Sequence, residues 1–166
     1  MSPLSRLRVR HTVGPALGVT AAAAAGSLAT EPTSEWYAGL RKPGWQPPGW
    51  AFPLVWTPLY ADIAGTSGAV LTELEESGRD TEAAAYRRAL ALNLVLNAGW
   101  SMVFFGAKRL RAAVPVAVVL AASSADLARR AGKVKRPYGL ALAPYAAWTS
   151  FATVLNAEVA RLNPGR

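Results

Sequence analysis

The sequence predicts an all-α fold, an integral membrane bundle of five transmembrane helices. The chain is 52% hydrophobic but only 17% charged, and its charges lie in short clusters between long apolar runs. These runs approach the about 20 apolar residues with which a helix crosses a bilayer. The alternative is a soluble bundle of alanine-rich helices. It is disfavoured because helices of soluble bundles keep a charged stripe, which these runs lack.

The five runs form one predicted domain, residues 13–162. The predicted spans are residues 13–30, 50–72, 86–107, 111–128 and 137–159. The fourth span is short, and it reaches Ala128 only if Asp126 lies near the membrane surface. A basic tail, residues 1–12, precedes the domain, and residues 163–166 follow it as a C-terminal tail.

The first span has a second interpretation as a cleaved signal peptide. Arg6, Arg8 and Arg10 precede an alanine run at residues 21–25, which is the order found in such peptides. We interpret the run as a retained helix, because its loss would leave an open flank on the other four helices.

Composition excludes several kinds of site. The chain has no cysteine, which rules out disulfides, thiol catalysis and cysteine metal sites. Its one histidine, His11, lies in the basic tail, so the sequence predicts neither a histidine triad nor a multi-histidine metal site. No P-loop, dinucleotide-binding or zinc spacing occurs. We therefore predict no metal and no cofactor.

The net charge of +8 predicts membrane contact and not nucleic-acid binding, because the charges are clustered between apolar runs. The strongest cluster, ARRAGKVKRP at residues 128–137, fits an anchor for anionic lipids. Lysine and arginine are more numerous in the N-terminal tail, residues 73–88 and residues 129–136 than in the other polar segments. The positive-inside rule then favours an N-terminus inside and a C-terminus outside. Residues 72–88 are predicted to form a solvated loop that runs into the third helix.

The stretch WYAGLRKPGWQPPGWAFPLVWTPLY, residues 36–60, contains four of the six tryptophans of the chain. Its first half joins the first two spans and is stiffened by prolines, which fix backbone angles and remove donors. These prolines are Pro43, Pro47 and Pro48. Trp36, Tyr37 and Trp45 make the same segment aromatic. Such a loop either lies in the membrane interface as an aromatic belt or folds over the bundle mouth as a lid, and the residues alone favour neither.

Three helices carry stripes of aromatic and amide side chains at helical spacing. The stripes are Trp56, Leu59, Tyr60 and Ile63; Asn93, Asn97, Trp100 and Phe104; and Tyr145, Trp148, Ala152 and Leu155. Lipid cannot satisfy amides, so Asn93 and Asn97 are expected to face the bundle interior. Ordinary helix packing would explain any one stripe. Together they predict an apolar cavity with a few polar anchors, suited to a flat aromatic ligand.

Three segments occur in order within residues 36–156: the stretch quoted above, LNLVLNAGWSMVFFG and PYAAWTSFATVLN. They closely resemble the translocator protein family, also called tryptophan-rich sensory proteins or peripheral benzodiazepine receptors (TspO/MBR). The resemblance implies a bacterial member in the cell membrane, with five transmembrane helices and commonly a homodimer. It also implies that the first loop is a lid over a pocket for porphyrins and synthetic benzodiazepine-site ligands.

The resemblance also assigns residues. The ligand-binding positions that it implies are Tyr37, Trp56, Asn97, Trp148 and Ala152. Pro43 and Trp45 match the loop signature and are expected to be structural, like Trp36, Pro47 and Pro48. The small side chain of Ala152 would allow close approach of a helix or of the ligand.

Three functions fit this assignment. The first is binding of tetrapyrroles of the porphyrin or haem type for transport, buffering or sensing. The second is enzymatic: some bacterial members are reported to degrade protoporphyrin in light, which would place Trp56 and Trp148 in a catalytic role with porphyrin and oxygen. The third is a membrane scaffold whose ligand regulates partner binding. We rank binding first, since the sequence has no acid–base pair suited to catalysis.

Two features depart from the resemblance. Animal members carry a sterol motif with a tyrosine at the end of the fifth helix, whereas LNAEVARLN has Arg161 but no tyrosine, so sterol transport is not predicted. Asp62 lies in the middle of the second span, about 120° around the helix from Trp56. An ionisable residue at that depth is a functional candidate, and hydrogen bonding within the bundle or at a dimer contact is the structural alternative.

The charge distribution generates a topology prediction. Reporter domains fused to the two ends should place the N-terminus in the cytoplasm and the C-terminus outside, because five spans put the ends on opposite sides. Both ends on one side of the membrane, or an N-terminus outside, would contradict it.

Overall fold

The computed structural model describes residues 34–165, together with Leu17. The basic tail and nearly all of the first predicted span, residues 13–30, lie outside the described residues. Within the described part of the chain every regular element is helical, and no strand forms. The α-helices are α1 (Glu35–Ala38), α2 (Ala51–Glu76), α3 (Asp80–Ser101), α4 (Leu110–Val134) and α5 (Arg136–Leu162). A π-helical turn, Met102–Gly106, follows α3 directly.

Two helical segments are long and apolar enough to cross a membrane by length and composition. They are Asp80–Gly106 and Leu110–Val134, each with a mean hydropathy of 1.5 in its most apolar window. Only 33% of each window is buried within the chain, so most of their apolar surface faces outward. The exposed large side chains on the long helices include Leu92, Val95, Val118, Val119 and Val154. Apolar surface of this kind on several helices fits contact with lipid.

The connection between α2 and α3 is much shorter than expected. In place of a polar loop over residues 72–88, α2 continues to Glu76 and α3 begins at Asp80. Glutamate and alanine are strong helix formers, and Gly78 ends α2 in the left-handed conformation (φ 68°). Asp80 and Glu82 then favour the N-terminus of α3 electrostatically. The prediction of a long loop was wrong, because a polar segment can be helical and most of this one is.

The closest helix pair is α4 with α5, joined by the single extended residue Lys135. Their backbones nearly touch at Gly132 and Gly139. A Cβ atom placed on Gly139 would lie 2.8 Å from the Cα of Gly132 and 2.9 Å from the carbonyl oxygen of Ala128. Only glycine fits at this crossing, as is common where membrane helices approach closely.

Two buried clusters lie along the bundle. The central cluster joins all four long helices around Ile63, Tyr86, Leu127 and Tyr145. The lid-end cluster forms where α3 ends and α4 begins, around Phe104, Leu110 and Leu155. Partly buried aromatic side chains pack against both clusters and connect them.

The Gly132–Gly139 contact generates a stability prediction. Gly139→Ala should lower stability by about 1–3 kcal/mol, the usual cost of overpacking, because the helices must separate. Gly65→Ala is the matched control, since Gly65 lies within α2 and a Cβ there would meet nothing within 4 Å. It should be neutral or stabilising by about 0.5–1 kcal/mol. Thermal unfolding in detergent measures both, and equal melting of the two variants would contradict the prediction.

Candidate functional site

The loop between the first two predicted spans begins with α1, a single helical turn capped at both ends. The Ser34 hydroxyl accepts a hydrogen bond from the Tyr37 backbone N–H at 3.3 Å. Lys42 Nζ donates to the carbonyl oxygens of Tyr37, Leu40 and Ala38 at 2.5, 3.3 and 3.4 Å. A helix end leaves such carbonyls unpaired, so Lys42 holds the turn together. Burial lowers the pKa of the Lys42 ammonium.

The loop is fastened to the C-terminal end of α5. The Arg41 backbone N–H donates to Asn163 Oδ1 at 3.0 Å, and Asn163 Nδ2 donates back to the Arg41 carbonyl at 2.9 Å. The same Nδ2 donates to the Val159 carbonyl at 2.8 Å. These reciprocal bonds join residues 122 positions apart. The loop therefore lies across the end of the bundle, as a lid does.

The first half of the lid packs on the π-helical turn. The Trp36 ring lies edge-on to Phe104, with ring centroids 6.1 Å apart, and Tyr37 lies 5.5 Å from Phe105. The extra residue of a π turn changes which side chains face inward, and here both phenylalanines meet the lid. Burial raises the pKa of the Tyr37 hydroxyl, an effect opposed by the hydrogen bond from Gln46.

The second half of the lid begins a continuous row of aromatic rings that we call the aromatic row: Trp45, Phe151, Trp148, Trp56 and Tyr60. Successive ring centroids lie 5.9, 5.2, 6.4 and 5.2 Å apart. Phe52 flanks it, 6.0 Å from Trp148. The row passes from the lid to α5 and then to α2. Its alternation of stacked and edge-on contacts is the arrangement that aromatic rings favour.

A chain of hydrogen bonds lies at the inner end of the row. The Tyr60 hydroxyl donates to Asn97 Oδ1 at 3.0 Å, and Asn97 Nδ2 donates to the Tyr145 hydroxyl at 3.3 Å. Tyr145 in turn donates to Asn93 Oδ1 at 2.8 Å, and Asn93 Nδ2 donates to Ser124 Oγ at 3.0 Å. This polar chain crosses from α2 through α3 and α5 to α4. It satisfies two amides that lipid could not.

One polar atom of the aromatic row has no hydrogen-bond partner among the described residues. Trp148 Nε1 is buried and makes no hydrogen bond with any described residue. An unsatisfied buried donor costs about 1–3 kcal/mol, so structures seldom keep one without reason. In the lid, Gln46 Oε1 is buried and likewise lacks a described partner, although Gln46 Nε2 donates to the Tyr37 hydroxyl at 3.5 Å.

The structure divides the five ligand-binding residues of the sequence analysis. Trp56 and Trp148 meet edge-on, with ring centroids 6.4 Å apart, and Ala152 lies one turn beyond Trp148 on α5. Asn97 is nearby but belongs to the polar chain. Tyr37 packs on the π turn at the lid-end cluster. The role of all five in ligand binding stays a prediction.

The remaining sequence candidates take other positions. Within the lid, Pro43 is buried, Pro47 is partly buried and Pro48 is exposed. Asp62 is partly buried and accepts a hydrogen bond from the Thr66 hydroxyl at 2.7 Å. That bond lies within α2 and adds nothing between helices.

Several residues that shape the site escaped the sequence analysis. Lys42 was part of the quoted loop signature, and its place beside Pro43 was the available signal. Phe151 lies between Trp148 and Ala152 in an aromatic motif. Asn163 follows the end of α5, and nothing in the sequence pointed to its bond with Arg41.

Apolar helices, an internal aromatic row and an aromatic lid define the class: a helical membrane protein. A model of the TspO/MBR family matches residues 15–162. The chain belongs to the TspO/MBR family. The resemblance seen in the sequence and the predicted fold class, a membrane bundle of helices, are thereby confirmed.

Individual relatives are similar to this chain along most of their length. The tryptophan-rich sensory protein of Cereibacter sphaeroides is 37% identical over 155 residues, covering 91% of this chain and 94% of that protein. The tryptophan-rich protein TspO of Chlorobaculum tepidum is 38% identical over 141 residues, 84% and 87% of the two chains. The translocator protein of Homo sapiens is 37% identical over 131 residues, 78% and 76%.

The polar chain generates a prediction at Tyr145. Tyr145→Phe should destabilise the protein by about 1–3 kcal/mol, because it leaves Asn93 Oδ1 and Asn97 Nδ2 without their hydrogen-bond partner. Tyr138→Phe is the control, since Tyr138 lies on the same helix and its hydroxyl has no described hydrogen-bond partner. Melting curves in detergent compare the two. If the Tyr145→Phe and Tyr138→Phe proteins melted at the same temperature, the polar chain would contribute no stability.

Proposed function

We propose that the protein binds tetrapyrroles of the porphyrin type inside the bundle, beneath the lid, and acts in their transport, buffering or sensing. The observation that carries the proposal is the buried, unpartnered Nε1 of Trp148 within the aromatic row. A ligand that offers a flat ring and an acceptor atom would supply both the stacking surface and the missing hydrogen bond.

The arrangement of the rings supports a flat ligand. Trp56 and Trp148 meet at an interplanar angle of 84°, so a ring stacked on one indole meets the edge of the other. Below them, the amides and hydroxyls of the polar chain are already paired with one another. Recognition at that depth therefore depends mainly on apolar contact and shape, which suits a large aromatic macrocycle.

Closure of the site supports a role in holding or passing on a ligand. The lid is fixed by the Arg41–Asn163 bonds and by contacts of Trp36 and Tyr37 with the π turn. A ligand from the lid side enters only when these contacts open, which would keep a bound porphyrin from water. The names of relatives, a "sensory" protein and a "translocator" protein, fit such a role. We further propose a homodimer in the bacterial cell membrane, with the N-terminus inside.

A second candidate function is light- and oxygen-dependent degradation of a bound porphyrin. The edge-on pairing of Trp56 and Trp148 favours it, because one ligand would contact both oxidisable indoles. Purified protein with protoporphyrin IX, kept in the dark or illuminated in air, separates the two functions. Binding alone leaves the porphyrin absorption bands intact in light, apart from the bleaching seen without protein. Protein-dependent loss of those bands would establish degradation.

The pocket generates a prediction for the tryptophans. Trp56→Ala and Trp148→Ala should weaken porphyrin binding by roughly 5- to 150-fold, since stacking of a ring on an aromatic side chain is worth about 1–3 kcal/mol. Trp56→Phe should keep most of the affinity. Trp148→Phe keeps the ring but loses the N–H, and should cost about 2- to 13-fold, as a hydrogen bond of about 0.5–1.5 kcal/mol does. Ala152→Leu should block the site by its bulk.

Trp50→Ala is the matched control, since Trp50 is 69% exposed at the start of α2. It should bind like the parent. Fluorescence quenching in detergent gives the affinities, and a melting curve for each variant identifies any that are unfolded. If Trp56→Ala and Trp148→Ala melt normally and bind porphyrin like the parent, the pocket assignment is wrong.

A further inference from the structure

The lid end of the bundle carries basic side chains with few acids to balance them. The described residues at this end are 34–46, 102–112 and 158–165. Their basic residues are Arg41, Lys42, Lys108, Arg109, Arg111 and Arg161, and their acidic residues are Glu35 and Glu158. Arg161 is paired with Glu158 at 2.6 Å, and Lys42 is bound to the carbonyls of α1. Four cations remain, which we call the lid rim: Arg41, Lys108, Arg109 and Arg111.

The opposite end of the bundle is different. There Arg79 pairs with Glu82 at 2.6 Å, Lys135 pairs with Glu73 at 2.6 Å, and Arg87 pairs with Glu75. The four side chains of the lid rim are exposed, and none forms an ion pair with a described residue. Arg88, Lys133 and Arg136 at the opposite end also form no ion pair with a described residue. That end, residues 72–88 and 126–137, nevertheless has six acids for eight bases, whereas the lid end has two acids for six bases, so charge is less balanced beside the lid.

Lys108 holds an unusual backbone conformation for this position. Among the described residues other than glycine, Lys108 alone has a positive φ, 56°. Glycine would adopt this conformation without strain. The lysine in its place has its Nζ 5.8 Å from the centre of the Trp36 ring, so the strained turn sets a cation directly against the lid.

Helix stability does not explain the neighbouring arginines. Arg109 is the N-terminal cap residue of α4, and Arg111 lies in its first turn. The positive end of the helix dipole makes cations unfavourable there, and Arg109 makes no side-chain capping bond. Together with Lys108 they form a run of positive potential that fits an anion outside the chain.

We propose that the lid rim recognises the acidic groups of the ligand, so that the protein selects amphiphiles with carboxylates over their neutral esters. The inference rests on the proposed binding of a flat ring under the lid, and it adds the chemical class of the ring's substituents. The ring would lie against the aromatic row, and its carboxylates would pair with Lys108 and the rim arginines at the wet edge. Exposed ion pairs of this kind contribute up to about 5-fold each in affinity and weaken in salt.

Binding of protoporphyrin IX and of its dimethyl ester tests the proposal. The two share one ring, and only the first carries carboxylates. Titrations by fluorescence quenching use neutral detergent micelles without phospholipid, so that no lipid phosphate competes, at low and high salt. The parent should bind the diacid about 5-fold or more tightly than the diester at low salt, and this ratio should shrink at high salt.

Charge variants locate the effect. Lys108→Gln should lower the diacid-to-diester ratio, and the triple variant Lys108→Gln, Arg109→Gln, Arg111→Gln should bring it near one by weakening the diacid alone. Lys133→Gln is the matched control, an exposed lysine on α4 at the opposite end, and should keep the parent ratio. Lys108→Gly should melt higher than the parent because the strain is relieved, yet lose discrimination as Lys108→Gln does.

The outcomes separate this inference from the proposed function. If the parent binds both ligands equally, or if the triple variant weakens the diacid and the diester alike, the rim does not read carboxylates, while ring binding stands. If the folded parent binds neither ligand, the proposed function fails and the role of the rim fails with it.

Discussion

The Tyr145 hydroxyl is the contact on which the rest of the bundle depends. It accepts a hydrogen bond from Asn97 and donates one to Asn93, so one oxygen joins α5 to two successive turns of α3. Asn93 continues to Ser124 on α4, and Asn97 continues to Tyr60 on α2. Apolar side chains give little preference between helix neighbours in lipid, since lipid tails are equally apolar. Directional bonds at the centre therefore select one register for four helices.

The same bonds fix the aromatic row. The Trp56 ring stacks on Tyr60, with centroids 5.2 Å apart, and Tyr60 is held at its hydroxyl by Asn97. Trp56 therefore presents its ring in a set orientation to Trp148 on the neighbouring helix. In the proposed function, rings that are held in place in this way need little rearrangement when a ligand enters, and preorganisation of that kind favours binding. Under that proposal, the lid is the part that must move.

Sequence periodicity predicted the interior faces well because burial follows helical spacing. Asn93, Asn97 and Tyr145 were expected to face inward, and all three are at most 2% exposed. Periodicity could not predict which amide bonds to which hydroxyl, because that depends on how the helices are rotated and staggered relative to one another. The Arg41–Asn163 bonds connect segments with no shared pattern, and the left-handed conformation of Lys108 follows from a turn whose path is set by packing. Residues 72–88 were wrongly predicted to be a loop, because charged helix ends and loops have similar composition.

The position of Tyr145 in the chain has a consequence for biogenesis. It lies on α5, which leaves the ribosome after α2, α3 and α4, whereas the amides that it joins lie on α3. Until α5 enters the membrane, Asn93 and Asn97 lack the hydroxyl between them, and amides in lipid seek other partners. A nascent chain that stops before α5 would thus leave Asn93 Oδ1 and Asn97 Nδ2 unpaired within the bilayer. Insertion of α5 would pair both atoms, so the bonds that set the register also report that the four long helices have assembled.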